Sequence, residues 1–182
     1  MSRVGIYGGT FDPIHLGHLH VITQLFEKDL VDQLLVVPAG EPLLRDNAPI
    51  ASAAQRRAMC QLALSDLPPA IVSKVHVNPI EVLRMGPSYA IDTVEAVAQN
   101  YPGDTIIVII GQDAAEKLDQ WHRIDELRAM VKFLVIGRPG YLGDGIDIGA
   151  LNVSATTIRQ GLSADVSSSV AAFIRDNNLY DN

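Results

Sequence analysis

Val4-Gly5-Ile6-Tyr7-Gly8-Gly9-Thr10-Phe11-Asp12-Pro13-Ile14-His15-Leu16-Gly17-His18 is the stretch on which the reading of this chain turns. Its first four residues form a short apolar run that reads as a buried strand. Beyond it, Leu19, Ile22, Leu25 and Phe26 are spaced for one face of a helix. The residues between are a glycine turn from strand to helix, with a threonine and two histidines added. Backbone amides at such a turn, and the N-terminus of the helix behind it, attract phosphate. Histidines three apart lie on the same side of the entering turn. The combination predicts an anion site flanked by imidazoles, which suits a reaction at a phosphate. His20, one step past the pair, reads as a helix-surface residue.

Outward from this block, strand-like and helix-like segments alternate. Strands are expected over residues 3–7, Gln33–Pro38, Val72–Val77, Thr105–Ile110 and Lys132–Ile136. Helices are expected over about 16–28, over 53–65 with Ser52 as N-cap, over 90–100, and near 113–118 and 123–130. Two short helices follow, over about 154–161 and 166–177. Thr105–Ile110 is apolar on both faces, as a central parallel strand is. The alternation predicts an α/β fold, a doubly wound parallel sheet with helices on both faces. Ligands of such sheets bind beyond the carboxyl ends of the strands, where strand order reverses. Four segments rich in ligand-type residues follow strand ends: the histidine block, Pro38–Arg45, Gly111-Gln112-Asp113 and Arg138-Pro139-Gly140. They imply one site at one edge of the sheet. Residues 40–50 read as a loop that is either a lid or a link, and the glycine-rich residues 140–150 as an exposed loop.

The chain has 182 residues, 48% hydrophobic and 19% charged, which fits one domain over residues 1–182 with a small C-terminal helical portion from about 154. The lone cysteine, Cys60, excludes an internal disulfide and a cysteine-cluster metal site, and sits among helix core residues. A formal net charge of −7 argues against nonspecific binding to nucleic acid or an anionic membrane. The chain enters a strand within three residues, with no signal peptide and no apolar run long enough to span a bilayer, so a cytoplasmic enzyme is expected. The apolar side of the last helix (Val166, Val170, Phe173, Ile174) serves either the core or a second copy of the chain.

His15-Leu16-Gly17-His18 with its Gly-Gly-Thr-Phe-Asp-Pro-Ile lead-in resembles the signature of the nucleotidyltransferase superfamily, and most closely that of bacterial nicotinate-mononucleotide adenylyltransferases. Ser154-Ala155-Thr156-Thr157-Ile158-Arg159 resembles that family's second signature, with Val153 and Ala155 as departures. Gly86-Pro87-Ser88-Tyr89-Ala90-Ile91-Asp92-Thr93 resembles its acceptor segment, with Ala90 replacing a threonine and His122 standing where an aromatic often follows Trp121. The loop after the second strand departs further: Glu41-Pro42-Leu43-Leu44-Arg45 replaces a Pro-His-Lys pattern, leaving Arg45 as its cation. Arg56 and Arg57 open the next helix, one facing the site and the other solvated.

The resemblance implies transfer of an adenylyl group from ATP to nicotinate mononucleotide, giving deamido-NAD and pyrophosphate, with Mg2+ bound through the ATP phosphates and no metal-ligating side chains. It implies His15, His18 and Arg159 as the catalytic groups. It implies ATP contacts from Gly8, Gly9, Thr10, Phe11, His15, His18, Gly111, Asp113, Arg138, Ser154, Thr156 and Arg159. Arg45, Tyr89, Ala90, Thr93 and Trp121 are implied at the mononucleotide. The residues leave open the amide mononucleotide as acceptor, another transferase acting on phosphopantetheine or an alcohol phosphate, and a nucleotide-binding protein without catalysis. Asp113 equally suits a helix N-cap.

Overall fold

The computed structural model describes residues 1–41, 48–84, 86–137 and 145–180. Its first half runs β1 (Arg3–Gly9), α1 (Leu16–Glu27), β2 (Gln33–Pro38), α2 (Ala53–Ser65), α3 (Pro69–Val72), β3 (Val75–Val77), α4 (Ile80–Leu83) and α5 (Ala90–Asn100). There follow β4 (Thr105–Gly111), α6 (Gln112–Ala115), a 3-10 turn (Leu118–Gln120), α7 (Ile124–Met130), β5 (Lys132–Ile136), α8 (Ala155–Arg159) and α9 (Ser168–Asp176). The five strands form one parallel sheet in the order β3-β2-β1-β4-β5. Ile6 pairs with Leu35 on one side and Val108 on the other, so the N-terminal apolar run is the middle strand.

Alternate residues of each inner strand feed opposite cores, because side chains of a strand point to alternate faces. Leu34, Val36, Ile107 and Ile109 pack with Ile22 and Leu25 of α1, Met59 and Cys60 of α2, and Val170 of α9. Val4, Ile6, Leu35, Val37, Ile106, Val108 and Ile110 pack with Ile91, Val94 and Val97 of α5 and Leu127 of α7. Each fully buried Val, Leu or Ile contributes about 1.5–3 kcal/mol. Two apolar faces explain why β4 reads as a continuous hydrophobic run. Cys60 is fully enclosed, and burial pushes its thiol up to about 12, so it is a core residue and no nucleophile. The last helix serves the core: Val170 is wholly buried, and Val166, Phe173 and Ile174 pack against the same cluster.

The chain steps outward from β1 to β2 to β3, then returns across the sheet to β4 on the other side of β1. The strand order therefore reverses between β1 and β4, which opens a crevice at their carboxyl ends.

Three local expectations are corrected. The third strand begins at Val75, not Val72, because Pro69 at the start of α3 fixes a helical φ and turns Pro69–Val72 into a short helix. α4 was not expected; it follows Asn78, whose Oδ1 accepts the Ile80 N–H at 3.1 Å. Residues 145–150 are not an exposed loop. Ile146 N–H donates to the Val135 carbonyl (2.8 Å) and its own carbonyl accepts from Gly137 (3.0 Å), while Ile148 is buried. Their glycines hid an edge pairing with β5. Among the described residues no helix is long and apolar enough to cross a membrane.

Candidate active site

Between β1 and α1 the chain makes a tight bend. Phe11 has a left-handed backbone (φ 51°) and its ring is buried against Gly9, where an added Cβ would stand 2.8 Å from the ring. The Asp12–Pro13 peptide bond is cis. Ile14 then enters the core and His15 becomes the N-cap of α1. The His15 and His18 rings stack, centroids 3.7 Å apart and 25° from parallel. Gly17 makes room for this stack, since a Cβ there would lie 3.1 Å from two atoms of the His15 ring. The His18 ring meets the Phe11 ring edge-on at 5.0 Å. His18 Nδ1 accepts the backbone N–H of His15 at 3.1 Å. The neutral ring therefore carries its proton on Nε2, as a hydrogen-bond donor.

Two arginines and a tyrosine hold the bend from behind. Arg56, 1% exposed, donates to the carbonyls of Thr10 (2.7 Å), Gly40 (3.1 Å) and Ala51 (3.3 Å). Arg159 donates to the Asp12 carbonyl at 2.7 Å and to the Thr156 hydroxyl at 3.2 Å. The Asp12 carboxylate is buried and accepts from Ile50 N–H (2.8 Å), Ala51 N–H (3.1 Å) and the Tyr180 hydroxyl (2.6 Å). Burial, with the bond to Asp12 behind it, holds the Tyr180 phenol protonated well above its ordinary range. Tyr180→Phe is expected to cost about 1–3 kcal/mol in denaturant unfolding, since it removes a partly buried hydrogen bond to a buried carboxylate. A variant as stable as the parent would disprove that bond.

The crevice is a cavity of about 1000 Å³, at the upper end of ligand-site volumes. Gly8, Gly9, Thr10, Phe11, His15 and His18 line its centre. Gly111 and Asp113 line it at the end of β4, and Ser154 and Thr156 at α8. Ser154 is the N-cap there, its hydroxyl accepting from Thr156 N–H at 3.2 Å. Gly111, not Asp113, is the N-cap of α6, which leaves Asp113 exposed in the first turn. Tyr89, Ala90, Thr93 and Trp121 line it near the start of α5. There the His122 ring packs against Tyr89, centroids 4.3 Å apart and planes tilted by 31°, so a flat ring stands where the family pattern has an aromatic. The Thr93 hydroxyl donates to Glu81 Oε1 at 2.7 Å, both residues buried, and burial raises the Glu81 carboxyl above its usual range.

Arg159 is one layer behind the wall, attached through Thr156, while Arg45 and Arg138 lie outside the described residues, as do Pro139 and Gly140. His20 is corrected: it is half-buried, and its Nε2–H donates to the Ile148 carbonyl at 2.8 Å, tying α1 to the segment that follows β5. Arg56 is the inward member of its pair, and Arg57 lines a separate hollow with Leu83. Asp12, Glu81 and Tyr180 were not singled out in the sequence. Asp12 lay within the quoted block; nothing local marks its partner 168 residues away.

A cytidylyltransferase-like family profile matches residues 6–171. The nicotinate-nucleotide adenylyltransferase of Bacillus subtilis is 31% identical over 193 residues, covering all of both chains. The Oceanobacillus iheyensis protein named "Probable nicotinate-nucleotide adenylyltransferase" is 35% identical over 192 residues, 99% of this chain and 97% of its own. Among solved structures, Plasmodium falciparum nicotinic acid mononucleotide adenylyltransferase complexed with NaAD shares the fold, with a TM-score of 0.83 at 20% identity over 100% of this chain and 98% of that one. With its motifs gathered at one sheet edge and relatives matching along its whole length, the chain belongs to the cytidylyltransferase-like family and, within it, to the nicotinate-nucleotide adenylyltransferases.

Proposed function

We propose that the cavity binds ATP and nicotinate mononucleotide together and transfers the adenylyl group, releasing pyrophosphate and deamido-NAD. The observation that carries this reading is that one cavity is lined by the stacked His15–His18 pair, by Tyr89, His122 and Trp121, and by Gly111 and Asp113. The mononucleotide's 5′-phosphate is already an anion, so attack on the α-phosphorus needs no protein base. One P–O bond forms to that phosphate while the bond to pyrophosphate breaks. Catalysis then rests on positioning and on neutralising charge that grows on the reacting phosphorus and the leaving group. The Nε2–H of His18, the His15 ring and the amides of the Gly8–Thr10 bend supply donors at the centre. Ser154 and Thr156 supply more from α8, with the Arg159 charge one layer behind Thr156 and Arg45 and Arg138 proposed as further cations. Asp113 accepts from the adenosine ribose, and Trp121 and Tyr89 hold the pyridine ring, a stack worth about 1–3 kcal/mol by analogy with bases.

Magnesium would be carried in on the triphosphate, bound through its phosphate oxygens. There the ion would offset phosphate charge. Chelation is expected to stop pyrophosphate release and added magnesium to restore it; full activity in excess chelator would overturn this role. We read residues 1–182 as a single transferase domain and place it in the cytoplasm with its small-molecule substrates.

The deciding experiment measures pyrophosphate from magnesium-ATP with each acceptor in turn. Release with nicotinate mononucleotide supports the reading; release with phosphopantetheine alone, or with no acceptor, overturns it. Gly8 offers a sharper check. A Cβ built there meets nothing within 4 Å, because it points into the cavity. Gly8→Val is expected to fold within about 0.5 kcal/mol of the parent. Its kcat/KM is expected to fall below about a tenth, which a loss of 1.4 kcal/mol suffices to produce. An active variant would mean that the ligands do not lie along the end of β1.

A further inference from the structure

The cavity wall contains a buried acid that the transfer chemistry does not use. Glu81 is 9% exposed, lines the cavity, and accepts the Thr93 hydroxyl at 2.7 Å. Ser88 lies near its carboxyl and accepts the Gly40 N–H at 3.1 Å. The Thr93 hydroxyl proton is committed to the carboxylate, so Thr93 has lone pairs only to offer a ligand. A carboxylate has about four acceptor positions, so one hydroxyl leaves Glu81 room to accept again.

The ionised Glu81 and Thr93 therefore form an acceptor-only stretch of wall. It cannot donate to a ligand carboxylate or phosphate, and it would repel either. The groups of a pyridine mononucleotide that match it are its hydroxyls. The same chain segment carries Ser88, the stacking ring of Tyr89, and Thr93 one helical turn on, so the wall stands beside the aromatic floor. That is the place for a sugar attached to the stacked ring. Resting on the proposed pairing of ATP with a pyridine mononucleotide, we propose that Glu81 is a specificity-determining residue that accepts a hydrogen bond from a ribose hydroxyl of that mononucleotide, with Thr93 holding its carboxylate in place.

The test is calorimetric binding of nicotinate mononucleotide, its 2′-deoxy and 3′-deoxy analogues, and its amide counterpart, to the parent protein and to Glu81→Gln, alongside pyrophosphate release. The parent is expected to bind one deoxy analogue about ten- to a hundredfold more weakly than the natural ligand, the range for a hydrogen bond to a charged group. In Glu81→Gln the natural ligand loses most of that advantage, the deoxy analogue loses little, and ATP affinity is unchanged. Equal affinity of the parent for ribose and both deoxyriboses overturns the proposal, and this arm stands alone if the variant does not fold. A variant that changes the preference for acid over amide, while treating ribose and deoxyribose alike, also overturns it by moving the carboxylate to the pyridine substituent. Mononucleotide that binds with the expected hydroxyl dependence yet yields no pyrophosphate supports the wall and defeats the transfer reading, so the two fail separately.

Discussion

His18→Ala is expected to lower turnover by about 10²–10³-fold, the cost of removing one donor aimed at developing charge, while ATP affinity changes little. The reason is geometric. His18 lines the cavity, and the backbone N–H of His15 bonds to its Nδ1, so the neutral ring carries its proton on Nε2. The ring is held between His15 and Phe11, at 3.7 Å and 5.0 Å, and needs no reorganisation at the moment of reaction. A group that acts on the ground state would raise KM alone; one that acts on the growing charge lowers kcat and kcat/KM together. Single-turnover rates with equilibrium ATP binding separate these outcomes. Unchanged turnover would remove His18 from the chemistry.

Arg56→Ala is expected to cost about 3–5 kcal/mol of folding stability, a large part of what a domain of this size possesses. The guanidinium is 1% exposed and reaches three carbonyls on three separate segments: Thr10 in the bend, Gly40 after β2, and Ala51 before α2. Truncation leaves those oxygens buried without that donor, and each costs about 1–3 kcal/mol, not fully additively. Arg56→Lys should recover little, since a compact ammonium cannot span a planar fork of acceptors. Denaturant unfolding checks both variants. A loss under about 1 kcal/mol for the alanine variant would show that the three segments hold one another without the arginine.

What was legible in the sequence was local. β2 over Gln33–Pro38 and α2 over Ala53–Ser65 fall where periodicity put them, with Ser52 capping α2 and accepting from Gln55 N–H at 3.2 Å. The apolar run at Thr105 and the glycine bend at Gly8-Gly9 were enough to place the cavity, because strand ends collect ligand sites. What was not legible depends on partners far along the chain. Asp12 meets Tyr180 across 168 residues, and Arg159 meets the Asp12 carbonyl across 147. Glu81 sits in a four-residue helix too short to give a period, and its role emerges only when Thr93 folds over it. Ile146 pairs beside β5 within a stretch whose glycines resemble a loop. His20 illustrates the same limit: helical geometry alone assigns it to the surface, yet the Ile148 carbonyl gives it a partner from outside its own helix.

The bond between Tyr180 and Asp12 also bears on synthesis. A ribosome adds about 5–20 residues per second, so it delivers the phenol roughly ten to thirty seconds after the aspartate it serves. Throughout that interval the nascent polypeptide displays its histidine pair with one anchor of the neighbouring bend still missing. Closure of this corner thus waits on a residue 168 positions downstream of the aspartate.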